Sequence, residues 1–169
     1  MDVGLAECLS MAERKTGALI GAACQLGALA AGAGPEAAES YRALGRRLGV
    51  AFQLADDLLG IWGDPEVTGK PAGGDLTSRK KSLPVVAALT SGTTPGDQLA
   101  RLYRREDPDE QGMARAARLI EDAGGRDWAW WETTRQVQQA MDHMTSAKPA
   151  RGGAADLRLL AGLVLRRSL

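Results

Sequence analysis

Net charge, cysteine, histidine and long hydrophobic runs are all in short supply in this 169-residue sequence, and each shortage excludes something. Lysine and arginine total 21, as do aspartate and glutamate, so no net field draws the chain to nucleic acid or to an anionic membrane. The only cysteines, Cys8 and Cys24, sit in apolar runs. They make neither a disulfide framework nor a zinc pattern, and they read as reduced core residues. The one histidine, His143, has no partner in sequence with which to act as a base or ligand. The longest apolar run, residues 18–33, is broken by Gln25 and built mostly of alanine and glycine. That falls short of the ~20 strongly apolar residues a membrane span needs. Met1-Asp2 opens on an acid rather than a basic segment, so no secretory leader is expected and the cytoplasm is the expected location. No internal repeat, low-complexity tract or convincing strand is found.

What remains is helical periodicity and an unusual share of glycine, 21 residues. The length suits one domain with one core, and the sequence reads as a single all-α unit over residues 1–169. Residues 2–32 are helical, with Leu5, Cys8, Leu9 and Ala12 on one stripe. Lys15 and Thr16 lie where the helix turns apolar on every side. A second helix is expected over about 36–61, lined by Tyr41, Leu44, Leu48, Ala51, Ala55 and Leu58 or Leu59. Its Gly45 and Gly49 leave room for another helix or a ligand to approach. Gly63-Asp64-Pro65 stops it, because Pro65 pushes Asp64 out of the α region. Ser82 is a candidate cap for the next helix, and Thr94-Pro95 and Asp107-Pro108 mark further helix starts. The helix from Pro108 buries Met113, Ala116, Ala117, Ile120 and Ala123. The next, over about 127–146, is expected to bury Trp130, Val137, Met141 and Met144. A last amphipathic helix covers 154–167.

The chemistry concentrates between Leu48 and Pro84. Asp56 and Asp57 are adjacent carboxylates near the end of an apolar helix. Gln53 and Asp56 point the same way, while Asp57 is rotated about 100° from Asp56. Two such carboxylates among apolar neighbours repel each other unless a cation neutralises them. A Gly-rich loop at about 63–81 follows, carrying Lys70, Lys80 and Lys81. Carboxylates hold a hard divalent cation, and lysines beside them bind the phosphate oxygens that the cation bridges. The combination points to a diphosphate and metal loop.

The series Lys15-Thr16-Gly17, Phe52-Gln53 with Asp56-Asp57, Gly69-Lys70, Asp75, and Lys80 through Pro84 resembles the trans-type isoprenyl diphosphate synthases, the polyprenyl synthetases. The likeness extends through Ala123-Gly124-Gly125-Arg126. It implies the isoprenoid synthase fold, of which this chain resembles the carboxyl-terminal half. It also implies a prenyltransferase that condenses an allylic diphosphate with isopentenyl diphosphate, with Mg2+ as cofactor. By resemblance Asp56 ligates magnesium and Asp57 assists it. Lys15 and Lys70 bind the allylic diphosphate, with Lys80 near the phosphates. Thr16 and Gln53 place the substrate and the nascent cation.

Two departures stand out. The family's second acidic segment is Asp-Asp-x-x-Asp, and here its fifth position is Gly60. The family's first aspartate-rich motif has no equivalent in these 169 residues. The chain alone is therefore expected to be inactive and to need a complementary chain carrying that motif, or to form a homo-oligomer. The competing readings are a non-catalytic subunit or regulator of a full-length synthase, and a terpene cyclase of the same fold.

Overall fold

Among the residues described by the computed structural model, 4–69, 73–104, 110–149 and 151–167, every regular element is a helix. Helix α1 spans Leu5–Ala12, a π-helical turn follows at Glu13–Gly17, and α2 covers Ala18–Ala30. The 28-residue α3 runs over Pro35–Trp62. Two single-turn helices, α4 (Pro65–Thr68) and α5 (Gly74–Thr77), break up the stretch read as a loop. They are followed by α6 (Leu83–Leu89), α7 (Thr94–Leu102), α8 (Glu110–Asp122), α9 (Gly125–Ala147) and α10 (Arg151–Arg167). Lys70 and the Asp107–Asp109 start lie outside the described residues.

The chain groups into two compact units, Met1–Cys8 with Asp56–Trp131, and Leu9–Ala55 with Glu132–Leu169. In the first, α6 is the central element, with every residue from Leu83 to Ala88 buried. It packs against α7 and α8, and α5 also packs on α8. The core there holds Ile61, Leu76, Val85, Leu99, Leu119 and Ile120. Burying such side chains contributes roughly 1.5–3 kcal/mol each before entropy is counted. Local chemistry sets the boundaries. Asp64 is extended and accepts a hydrogen bond from Glu66 N at 2.9 Å, with Pro65 in the first turn of α4. Thr93, one residue before the expected position, caps α7 through Gly96 N.

In the second unit, α3, α9 and α10 share two small cores. One is built on Leu44, Ala140, Met144 and Ala154, the other on Ala51, Val137 and Ala161. Helix α2 and the π-turn meet α3 almost backbone to backbone. A Cβ on Gly49 would lie 2.6 Å from Gly17 Cα, and one on Gly45 would lie 2.7 Å from the Ile20 carbonyl oxygen. The room left by these glycines is taken by a helix.

Trp130 departs from expectation. It is 45% exposed and Trp131 58%, because the buried stripe of α9 passes through Ala129, Thr133, Gln136, Val137, Ala140 and Met144 instead. At 100° per residue Trp130 lies about 20° beyond Val137, at the edge of that stripe, and a small residue, Ala129, takes the buried position beside it. Cys8 is buried and Cys24 half-buried, and both are free thiols. Burial pushes both thiols up in pKa, helped at Cys8 by the charges of Glu7 and Asp57.

Candidate metal and diphosphate site

Asp57 is, with Glu132, one of two buried acids among the described residues, its side chain 4% exposed. Both of its oxygens are occupied. Oδ1 accepts from the Lys80 ammonium at 2.9 Å, and Oδ2 accepts from the backbone N–H of Leu83 at 3.0 Å. The second bond satisfies the first amide of α6, the role expected of Ser82. Ser82 does stand at the N-cap position in an extended conformation, but its hydroxyl makes no capping bond and is buried without a partner among the described residues. A carboxylate from α3 therefore caps α6, because it reaches the orphan amide and carries the charge that a helix start favours.

Lys80 is shared. Its ammonium also donates to Asp75 Oδ2 at 2.8 Å. Burial would pull the lysine pKa down, but the bonds to Asp75 and Asp57 and their charges outweigh it, and the net shift is upward. Lys80 thus carries its charge beside two carboxylates instead of standing as a bare cation. Asp75 was legible as part of the motif series but not as a partner of Lys80, since pairing at five residues' separation depends on the turn of α5 between them. Lys81 is exposed.

Asp56 is half-buried. Magnesium keeps several waters and is held by one or two carboxylates together with substrate phosphates. The donor chemistry is compatible with such an ion: Asp56 is a half-exposed carboxylate, and Asp57 beside it in sequence is held by two hydrogen bonds. They do not fit an all-protein cage, because no group of three or more His, Cys, Asp or Glu side chains suited to a metal occurs among the described residues.

The other expected residues lie in the second unit. Thr16 Oγ1 donates to Gln53 Oε1 at 3.1 Å, a contact between two of the residues carried over by resemblance. Thr16 and the exposed Lys15 both sit on the π-turn Glu13–Gly17. Such turns widen a helix by one residue per turn and recur at functional sites. No periodicity in the sequence announced this one. Glu13 on the same turn pairs with Arg46 of α3 at 2.8 Å.

The sequence model of one family, described as Polyprenyl synthetase, matches residues 1–120. The chain is 46% identical over 170 residues to the (2E,6E)-farnesyl diphosphate synthase of Mycobacterium tuberculosis (strain ATCC 25618 / H37Rv), covering 98% of this chain and 47% of that protein. It is 42% identical over 167 residues to the geranylgeranyl diphosphate synthase of the same organism, with the same coverage. A crystal structure of a polyprenyl synthetase from Streptomyces coelicolor A3(2) superposes with a TM-score of 0.92 at 40% identity, over 96% of this chain and 50% of that one. Geranylgeranyl pyrophosphate synthase from Corynebacterium glutamicum, in complex with isoprenyl diphosphate and magnesium, superposes with a TM-score of 0.88 at 28% identity, over 97% and 47%. The chain spans about half the length of the curated relatives it matches.

Proposed function

The chain belongs to the polyprenyl synthetase family, and from that premise we propose that it forms part of a prenyltransferase joining an allylic diphosphate to isopentenyl diphosphate. The observation that carries the proposal is the arrangement at the end of α3, where Asp56 adjoins an Asp57 clamped by Lys80 and capping α6. Bound magnesium would neutralise the diphosphate as it leaves. In this reading Asp56 holds the ion, and Asp57 keeps the end of α3 and the start of α6 in register beside it. Lys15 and Lys70 bind diphosphate oxygens by charge-assisted hydrogen bonds. The Thr16–Gln53 hydrogen bond holds together the two polar groups that, by the family resemblance, serve the nascent allylic cation, a preorganised kind of stabilisation. Because relatives are about twice as long, the remaining part of the site comes from a further polypeptide segment, on another chain or on a longer form of this one.

The test is a product assay with magnesium, isopentenyl diphosphate and geranyl or farnesyl diphosphate, read by mass spectrometry. The isolated chain is expected to be silent. Adding a chain that carries a first aspartate-rich motif is expected to give products longer by five carbons, and Asp56→Ala in this chain to abolish them. Efficient turnover by the isolated chain would overturn the divided site. Unchanged turnover with Asp56→Ala would favour a non-catalytic subunit.

A further inference from the structure

Gly60 and Asp75 compete for one volume. Residue 60 follows Asp56 by four positions and Asp57 by three, so a side chain there would project over the same turn of α3. A Cβ built on Gly60 would lie 2.6 Å from Asp75 Cγ and 2.7 and 2.9 Å from its two carboxylate oxygens. The Asp75 carboxylate is no loose tip that could swing aside. It stands on α5, 19% exposed, with Oδ2 on the Lys80 ammonium at 2.8 Å. The same ammonium reaches Asp57, whose other oxygen takes the first amide of α6. Lys80 thereby ties α3 to α5, Asp57 carries the tie on to α6, and a side chain at position 60 would crowd the carboxylate on which it depends.

We propose that Asp75 is a positioning residue of the diphosphate site, seated in the space left at Gly60 and acting by holding the Lys80 ammonium against Asp57. The inference rests on the diphosphate-site reading given above. It makes Lys80 an internal counter-ion before it is a phosphate ligand. It also gives the glycine at the fifth place of the acidic segment a role: the carboxylate missing from the helix is supplied from α5, and a side chain at 60 would have to displace it. Without Asp75 the lysine faces one carboxylate on a flexible four-carbon stem, and Asp57 loses the partner geometry that orients it.

The experiment uses the full 169-residue chain as wild type, Gly60→Ala, Asp75→Ala, Asp75→Asn, Gly60→Ala/Asp75→Ala and Gly60→Asp/Asp75→Ala. Two quantities are read for each, the urea-unfolding midpoint and the Kd for inorganic pyrophosphate in the presence of magnesium. Gly60→Ala is expected to lower the midpoint in the wild-type background and to have little effect once Asp75 is alanine. Asp75→Asn keeps the packing and loses the charge, so its midpoint stays near wild type while pyrophosphate binding weakens at least tenfold. Gly60→Asp/Asp75→Ala moves the carboxylate from α5 to α3 and recovers most of that binding. Equal cost of Gly60→Ala in both backgrounds, or Asp75→Asn binding within twofold of wild type, would overturn the proposal. A wild-type chain that takes up no pyrophosphate with magnesium would instead sink the diphosphate-site reading, and this inference with it.

Discussion

Tyr103 buries its hydroxyl with no hydrogen-bond partner among the described residues. Burial pushes its pKa up to about 12, with the Arg79 charge lowering it and Asp75 raising it. An unpaired buried hydroxyl costs about 1–3 kcal/mol, so Tyr103→Phe is expected to leave the fold intact and to match or exceed wild-type stability. Its backbone carbonyl, which accepts from the Arg79 guanidinium, is untouched by that change. Loss of more than about 1 kcal/mol on denaturant unfolding would show that the hydroxyl has a partner after all. The tyrosinate absorbance of wild type should contain a step near pH 12 that Tyr103→Phe lacks. Lys80 adds to the pH dependence. Tyr103 and Lys80 both bind their protons more tightly folded than unfolded, from ordinary values of 10.0 and 10.5. The stability they supply is therefore complete below those values and falls as pH rises through the folded ones. The urea midpoint should decline above pH 10.0 and decline less steeply in the Tyr103→Phe/Lys80→Met double variant. Parallel curves would refute the assignment.

At the scale of elements, two junctions carry testable weight. Asp57 caps α6 from outside that helix, and losing a cap costs about 0.5–2 kcal/mol. Asp57→Ala should cost more than Ser82→Ala, the reverse of what capping rules read from sequence would give, because Ser82 makes no capping bond. Comparing the two unfolding midpoints decides it. The other junction is the close approach of α2 and its π-turn to α3. Gly49→Ala would drive a methyl group to 2.6 Å from Gly17 Cα, backbone that cannot step aside. Overpacking of this kind costs about 1–3 kcal/mol, against a gain of under about 1 kcal/mol in helix propensity. Net destabilisation is expected by thermal melting, and a stabilised Gly49→Ala would mean the helices can separate freely.

At the scale of the whole molecule, the exposed apolar residues matter most. Leu19, Leu26 and Leu29 of α2 are 73%, 66% and 47% exposed, and their spacing lines them along one side of that helix. A helix apolar on every side belongs inside protein, and the chain spans about half the length of its relatives. Alone it is expected to associate, running above its monomer mass of 17.8 kDa in light scattering, with Leu19→Glu/Leu26→Glu shifting it towards monomer. A monodisperse wild-type monomer would contradict this. Among the described residues no helix is long and apolar enough to cross a membrane, so a membrane span does not account for the stripe.

The all-α class, most helix boundaries and the family were legible in the sequence, because they rest on the 3.6-residue period, proline and glycine punctuation, and a series of short motifs in order along the chain. Residue type and spacing also singled out Asp56, Asp57 and Lys80, and the family resemblance added Thr16 and Gln53. Their partners came from the folded structure. That Lys80 is shared between Asp57 and Asp75, that Asp57 caps α6 in place of Ser82, and that Gly60 makes way for Asp75 are contacts across chain separations of 5 to 26 residues. The same holds for α9, where Glu132, Thr133 and Gln136 are buried while Trp130 and Trp131 stay exposed. Hydrophobicity alone ranks those residues in the opposite order. Arg135 and Gln136, three and four residues on, satisfy the Glu132 carboxylate; that spacing is local and readable, but which face of α9 goes inside is set by packing.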